Sequence, residues 1–292
     1  MQLPYYPGCT LKNHAKHFED SAIAAMERLD MPLVEMEDWV CCGTVFSMSS
    51  DDLMLQVASI RNLVRAEHQN LSELIVLCSM CYNTLRRASD FILSDPENLD
   101  KVRKFMYLEE KPFDGTVEIL HLLSVLRDRI GWEELGRKVV RPLANLKVGG
   151  YYGCLLVRPE KYAIDDFEAP TIIEDLLGAL GATASPYPYR LECCGAYQTV
   201  TNKDVTVQRT YELLNSARNA GCEAIVTSCP LCAFNLDQRQ RETIEQFPDF
   251  DPMPVFYFTE LMALAFGANW DPEWTKLHFV NPEPILRDKG LI

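Results

Sequence analysis

The sequence predicts an α/β fold with two pseudo-symmetric repeats, each carrying a Cys-Cys-Gly (CCG) motif, in which strands alternate with helices around a cysteine-ligated cluster. The 292 residues suffice for one large domain or two of ordinary size. Short apolar runs alternate with segments of helical periodicity, which is typical of mainly parallel α/β units. Ten of the eleven cysteines fall into two matching sets. That match indicates an internal duplication.

The first repeat is expected to occupy residues 1–145. Asp51 and Asp52 mark one helix start, because their carboxylates can accept hydrogen bonds from free backbone N–H groups. Apolar periodicity predicts helices near 13–29, 51–69, 81–94, 96–109 and 121–130. Strands are expected near 33–40, 74–78 and 117–120.

The second repeat is expected to occupy residues 146–268. Strands are expected near 147–154, 224–229 and 254–258. Helices are expected near 170–180, 203–220, 232–246 and 259–266. Three prolines, Pro272, Pro282 and Pro284, predict an extended C-terminal tail over residues 269–292.

The cysteines have the same order in both repeats. The first set comprises Cys9, Cys41, Cys42, Cys78 and Cys81, and the second comprises Cys154, Cys193, Cys194, Cys229 and Cys232. Local sequence agrees, since YYPGC at 5–9 corresponds to YYGC at 151–154, and VCCG at 40–43 to ECCG at 192–195. Cys222 lies outside this order and is interpreted as a half-buried structural cysteine.

The predicted elements place the cysteines where parallel sheets bind ligands. Cys78 and Cys229 end apolar strands and are followed by helices. Ligands of open α/β sheets bind outside the carboxyl ends of strands, where helix N-termini offer free N–H groups to anions. Gly43 and Gly195 would let the backbone approach such a ligand closely.

Composition excludes several classes of function. A net charge of −14 and a pI near 4.8 argue against a non-specific nucleic-acid surface. The N-terminus lacks a basic region followed by an apolar stretch, and no run approaches the roughly 18–20 apolar residues that span a bilayer. We therefore expect a cytoplasmic protein without direct membrane insertion, whose thiols stay reduced.

Three kinds of chemistry could use so many thiols. A four-ligand zinc site leaves one cysteine of each set unexplained, and no histidine recurs at matching positions, so none is assigned as a ligand. Thiol–disulfide exchange needs only the CxxC pairs. Iron–sulfur ligation commonly combines CxxC pairs with distant cysteines. The spacing favours iron–sulfur ligation and leaves the other two open.

The order Cys…Cys-Cys-Gly…Cys-x-x-Cys resembles the CCG motif, and two complete copies resemble the B subunit of heterodisulfide reductase from methanogenic archaea. The similarity covers nearly the whole chain, including FVNPEPILRDKGLI at 279–292. Single copies also occur in iron–sulfur subunits of glycolate, lactate and glycerol-3-phosphate oxidoreductases and of thiol:fumarate reductase. The interval from Cys194 to Cys229 is one residue shorter than in the family form.

The resemblance implies that each five-cysteine set holds one noncubane [4Fe-4S] cluster through all five thiolates. It implies reduction of the coenzyme M–coenzyme B heterodisulfide (CoM-S-S-CoB) to two thiols in methanogenesis, with no catalytic residue beyond the cluster ligands. The implied partners are the iron–sulfur C subunit of heterodisulfide reductase and its flavin-containing A subunit or a cytochrome b, with a hydrogenase or formate dehydrogenase beyond them. The alternative is an electron-transfer subunit of one of the other oxidoreductases.

The substrate implied by the resemblance carries sulfonate, phosphate and carboxylate groups, so an acidic protein must gather local cations to bind it. Lys12 follows Cys9, and Arg158 follows Cys154. These two side chains are the candidate substrate contacts, although solvated surface charge is the commoner role of such residues.

Overall fold

The computed structural model describes residues 2–44, 52–109 and 111–292. Within these described ranges, eight strands form two four-stranded parallel sheets, in the orders β2-β1-β3-β4 and β6-β5-β7-β8. The strands are β1 (Leu3–Tyr6), β2 (Leu33–Glu35), β3 (Glu73–Val76), β4 (Glu118–His121), β5 (Lys147–Tyr151), β6 (Thr183–Ala184), β7 (Ala224–Thr227) and β8 (Val255–Tyr257). The identical strand order confirms the duplicated α/β fold.

Helices connect these strands in both repeats. In the first they are α1 (Gly8–Leu11), α2 (Lys16–Arg28), α3 (Leu53–His68), α4 (Ser79–Leu93), α5 (Pro96–Phe105), α6 (Leu122–Val125) and α7 (Trp132–Arg137). In the second repeat and the tail they are α8 (Ile172–Ala179), α9 (Lys203–Asn219), α10 (Pro230–Ala233), α11 (Gln240–Gln246), α12 (Phe258–Ala265), α13 (Pro272–Thr275) and α14 (Glu283–Asp288). Leu126–Ile130 and Phe234–Gln238 are π-helical, and Glu160–Tyr162, Pro188–Leu191 and Ala196–Gln198 are 3₁₀-helical.

The strand order fixes where a ligand can bind. From β1 the chain crosses to β2 on one side, and then returns to β3 on the other side. Strand order therefore reverses between β1 and β3, and in the second sheet between β5 and β7. A crevice opens at such a switch point, outside the carboxyl ends of the strands.

Several elements differ from the sequence expectation. The strand expected near 33–40 ends at Glu35, and residues 36–44 form an irregular segment that leads to the CCG motif. The sequence did not predict β1, which is only four residues long and contains Pro4. Asp52 caps α3 by accepting a hydrogen bond from the Met54 N–H at 2.9 Å, whereas Asp51 lies outside the described residues.

The expectation of an extended tail over residues 269–292 is wrong. This segment contains α13 and α14. Its prolines lie at helix starts: Pro272 is the first residue of α13, and Pro282 caps α14. A proline there loses no hydrogen bond, because the first N–H groups of a helix are free in any case. Trp274 and Leu286 are buried, and the Phe279 N–H donates to Asp237 of the second repeat at 2.6 Å, so the segment is anchored on the rest of the chain.

The two repeats pack against each other through helices that cross between them. Phe18 on α2 of the first repeat stacks on Tyr257 with ring centroids 4.2 Å apart, and it meets Phe258 of α12 edge-on at 5.6 Å. The hydroxyls of Ser21 and Thr259 hydrogen-bond at 2.6 Å. The interface therefore combines aromatic packing with satisfied polar groups, which holds the two sheets in a fixed relation.

Candidate metal centre

The first cysteine set gathers at the switch point of the first sheet. Cys9 lies in α1 directly after β1, and its Sγ is 3.7 Å from that of Cys41 on the irregular segment. Cys42 Sγ is 3.5 Å from Cys81 Sγ in the first turn of α4. Cys78 occupies the N-cap position of α4, three residues before Cys81. Three separate segments thus bring the five thiols together.

The second set repeats this arrangement at the switch point of the second sheet. Cys154 follows β5, and the neighbouring Cys193 thiol raises the pKa of Cys154. Cys194 Sγ lies 3.6 Å from Cys232 Sγ. Cys229 occupies the N-cap position of α10, three residues before Cys232. The local causes are the same as in the first repeat: a strand end, an irregular CCG segment and a CxxC pair at a helix start.

Two tyrosines hold the CCG segments in place. The Tyr6 hydroxyl donates to the Val40 carbonyl at 2.8 Å, and the Tyr151 hydroxyl donates to the Glu192 carbonyl at 2.6 Å. Each acceptor immediately precedes a Cys-Cys pair. Burial raises the pKa of both phenols well above the ordinary value of a tyrosine, and the charge of the nearby thiols raises it further. Both tyrosines therefore stay neutral hydrogen-bond donors.

Glycines leave the space that the thiols occupy. Gly8 and Gly153 have φ of +72° and +63°, and a Cβ on either would lie 3.2 Å from Cys81 Sγ or Cys232 Sγ. Gly43 and Gly195 also have positive φ, with a Cβ position only 3.1 Å from Ala58 and 3.2 Å from Thr206. An L side chain would therefore be strained here and would displace a thiol or a supporting helix.

We expect Gly8→Ala or Gly153→Ala to reduce the iron content of the purified protein by up to half, because each change disturbs one cysteine set. Gly221→Ala is the matched control: Gly221 also has a positive φ of +84°, but a Cβ there meets nothing within 4 Å. Equal iron content in all three variants, measured per chain, would show that these glycines do not shape the thiol sites.

The pKa shifts of the clustered thiols are those expected at a site that binds a cationic group. Hydrogen bonds from Cys154 and Cys194, with the Gly195 and Ala196 N–H groups, lower the pKa of Cys193 to about 2. Its neighbours Cys154 and Cys194 shift the opposite way: a hydrogen bond with Cys193 and burial raise the pKa of both, that of Cys194 to about 12. Crowded thiols share protons in this way because they cannot all ionise without a compensating positive charge. Metal ions supply that charge.

The two cysteine sets adjoin across the interface between the repeats. Cys78 immediately precedes Ser79, and Cys229 immediately follows Ser228. Next to them, the Ser79 N–H donates to the Ser228 carbonyl at 3.1 Å, and the two serine hydroxyls are 2.5 Å apart. Both CxxC pairs therefore face one shared boundary. Cys9, Cys41 and Cys193 lie on the exposed sides of their sets.

The two predicted substrate contacts differ in their surroundings. Lys12 Nζ forms ion pairs with Glu19, at 2.6 Å, and with Glu35. Its charge is therefore already compensated. Arg158 is exposed, and it donates a hydrogen bond to the Leu191 carbonyl at 3.3 Å, close to the second CCG segment.

Cys222 is separate from both sets, as the sequence indicates. It is buried, and its thiol donates to the Ser185 carbonyl at 3.4 Å. Burial raises its pKa to about 11. A buried, neutral thiol with a backbone partner suits a structural role.

A cavity of about 710 Å³ was not foreseen from the sequence. It lies between the start of α2, the α10 region and the tail, and it borders both cysteine sets through Thr10 and Pro230. Arg241 and Lys276 add positive charge to its wall, and the Arg241 guanidinium lies 5.2 Å from the centre of the Phe279 ring. These residues are separated in sequence and have no fixed spacing, so no local pattern could have revealed them.

Among the described residues, none of the helices combines the length and the apolar character needed to cross a lipid bilayer.

Comparison with known proteins identifies related chains. The family model of the cysteine-rich CCG domain matches residues 3–86 and 148–237. The membrane anchor of the 8-methylmenaquinol:fumarate reductase of Wolinella succinogenes is 34% identical, covering 91% of this chain and 92% of its own length. The B subunit of the ferredoxin/F420H2-dependent CoB-CoM heterodisulfide reductase of Methanosarcina acetivorans is 29% identical. This match covers 92% of this chain and 91% of the B subunit.

Two further matches have lower sequence identity to this chain. An Archaeoglobus profundus protein, described as similar to the B subunit of heterodisulfide reductase, is 26% identical, covering 91% of this chain and 90% of its own. A hypothetical protein from Helicobacter pylori of known crystal structure shares the fold, with a TM-score of 0.75 at 13% identity over 95% of this chain and 51% of its own. The resemblance to the B subunit of heterodisulfide reductase is thereby confirmed. The chain belongs to the family of proteins built from the cysteine-rich CCG domain.

Proposed function

We propose that this chain is an iron–sulfur protein that reduces CoM-S-S-CoB to its two thiols, using one noncubane [4Fe-4S] cluster in each repeat. Cys9, Cys41, Cys42, Cys78 and Cys81 would hold the first cluster, and Cys154, Cys193, Cys194, Cys229 and Cys232 the second. The observation that carries the proposal is the contact between Ser79 and Ser228, because each serine adjoins a CxxC cysteine and the contact therefore sets two complete thiol sites side by side.

The reaction needs two electrons and two protons: the S–S bond breaks, and each sulfur leaves as a thiol. When bound, each cluster supplies one-electron transfer at nearly fixed geometry. The residues of the chain hold the two sites at a common boundary and shield their inner thiols from solvent. Exposed thiols at Cys9, Cys41 and Cys193 leave the outer sides of both sites accessible.

We propose that Arg158 is the better of the two candidates for binding an anionic group of the substrate. Its guanidinium is exposed near the second CCG segment, whereas the Lys12 ammonium is already paired with two carboxylates. Both remain candidates, and Arg158→Gln is expected to raise the KM for the heterodisulfide more than Lys12→Gln does.

We place the protein in a cytoplasmic complex. By analogy with relatives named as the B subunit of a heterodisulfide reductase, an iron–sulfur C subunit and a flavin-containing A subunit would pass electrons to it, from a hydrogenase or formate dehydrogenase. These assignments rest on the family relationship.

A second candidate is an electron relay between menaquinol and a fumarate reductase. The 34% identity to the fumarate reductase membrane anchor of Wolinella favours it. In that case both cysteine sets would still hold clusters, but electrons would pass through the chain without a disulfide being cleaved.

An assay on the purified holoprotein, with a reduced viologen dye as the electron donor, distinguishes the two candidate functions. With CoM-S-S-CoB added, the proposal expects viologen oxidation and release of two free thiols per heterodisulfide, counted with a thiol reagent. It also expects a changed cluster spectrum in rapidly frozen samples. No thiol release and an unchanged spectrum, with electron transfer to a fumarate reductase flavoprotein preserved, would replace the proposal with the relay.

A further inference from the structure

Three side chains with metal-binding chemistry meet away from the cysteines. They are His17, Glu260 and His278, of which 5%, 0% and 8% of the surface is exposed. One ligand atom from each lies within 4.8 Å of the other two. His17 belongs to α2 of the first repeat, Glu260 to α12 of the second, and His278 to the tail. The trio therefore joins three parts of the chain that are distant in sequence.

The geometry of Glu260 and His278 is already constrained. Glu260 Oε2 accepts the Tyr257 N–H at 2.8 Å, and Glu260 Oε1 lies 2.9 Å from His278 Nε2. The His278 ring also packs edge-on against the ring of Phe256, with centroids 6.1 Å apart. These contacts fix the ring orientation, as supporting contacts do for histidines that bind metals.

His17 brings an unused donor atom to the same place. Its Nδ1 is buried and has no hydrogen-bond partner among the residues that the structure describes. The ring packs against those of Tyr257 and His278, with centroids 4.9 and 4.8 Å away. Burial lowers the pKa of this imidazole to about 4, so it is neutral and able to ligate a metal. An orphaned buried nitrogen is costly and calls for a partner.

The surrounding charge favours a cation. A second buried carboxylate, Asp237, accepts the Phe279 and Val280 N–H groups at 2.6 and 3.1 Å and faces His278. Two cationic residues, Lys276 and Arg241, line the cavity, and Lys276 pairs with Glu273. Two buried carboxylates beside the neutral His17 imidazole would be stabilised by a divalent ion, which would replace the proton that Glu260 and His278 share.

We infer that His17, Glu260 and His278 bind one Zn²⁺ ion that links the two repeats to the tail. Two imidazoles and one carboxylate form a common zinc ligand set. With Zn–N and Zn–O distances of about 2.0–2.2 Å, tetrahedral ligand atoms stand roughly 3.3 Å apart, so small side-chain rotations suffice. His17 and His278 line the cavity, which can supply a water as the fourth ligand. Binding displaces the proton shared between His278 and Glu260.

Metal analysis of the iron-loaded holoprotein tests this site. After incubation with ZnSO4 and gel filtration, wild type is expected to hold about one zinc per chain, while His17→Gln and His278→Gln hold none and keep their iron and sulfide. His14→Gln is the matched control, because His14 lines the same cavity but is exposed. Co²⁺ offered in place of zinc should be retained at about one ion per chain, by the same metal analysis, in wild type and the control alone.

Two outcomes would overturn the inference: a wild-type protein that takes up neither zinc nor cobalt, or histidine variants that bind as much of them as wild type. The first would mean that Glu260 is balanced by a protonated His278 alone, and the second that the metal sits elsewhere. If a variant also loses iron, anomalous diffraction at the zinc edge from wild-type crystals tests the site instead. A peak at these three residues supports the inference, and the absence of a peak there overturns it. Neither outcome bears on heterodisulfide reduction.

Discussion

Cys194→Ser is expected to remove about half of the iron and acid-labile sulfide from the holoprotein and to abolish heterodisulfide reduction. Cys194 is 2% exposed, its Sγ lies 3.6 Å from that of Cys232, and the Asn235 amide donates to it at 3.6 Å. A serine oxygen is a harder and shorter ligand that fits iron–sulfur chemistry poorly. Two-electron reduction then fails, because only one site remains.

The duplicated sequence offers matched comparisons for this change. Cys42→Ser should cause the same loss in the first repeat, since Cys42 Sγ lies 3.5 Å from Cys81 Sγ in the equivalent arrangement. Cys222→Ser is the control, because Cys222 is buried, lies outside both five-cysteine sets and donates its thiol hydrogen to the Ser185 carbonyl. Full activity and full iron content after Cys42→Ser or Cys194→Ser would refute the ligand assignment.

Phe18→Ala is expected to lower the free energy of unfolding of the holoprotein by about 3–5 kcal/mol, the usual cost of truncating a buried aromatic side chain. Phe18 is completely buried between the repeats, where it contacts the rings of Tyr257 and Phe258. Its loss leaves a cavity in the interface that holds the two thiol sites in register. Urea unfolding followed by circular dichroism measures the change.

Phe105→Ala provides the comparison for this second prediction. Phe105 ends α5 and is 49% exposed, so its truncation should cost less than about 1 kcal/mol. A similarly small effect of Phe18→Ala would mean that the repeats are held together mainly by other contacts.

Much of the fold could be predicted because its signals are local. Apolar runs such as LIVLC at 74–78 and AIVTSC at 224–229 mark strands that the structure confirms as β3 and β7. The cysteine order indicated the duplication, and the two sheets share one topology. The strand β1 escaped prediction because four residues containing a proline give too weak a pattern.

What could not be predicted depends on contacts between distant residues. The packing of Phe18 on Tyr257 joins the first repeat to the second, and no periodicity encodes it. The same holds for His17, Glu260 and His278, which are assembled only by the fold. Histidines do not recur between the repeats, and so the duplication that revealed the cysteine sites gave no indication of this trio.

The central claim is that each repeat holds its own iron–sulfur cluster through its own five cysteines. Quantitative iron and acid-labile sulfide analysis of the anaerobically purified protein tests it most directly. The account predicts about eight irons and about eight sulfides per chain, which correspond to two four-iron clusters. Zinc bound at the cysteines without any sulfide would contradict it.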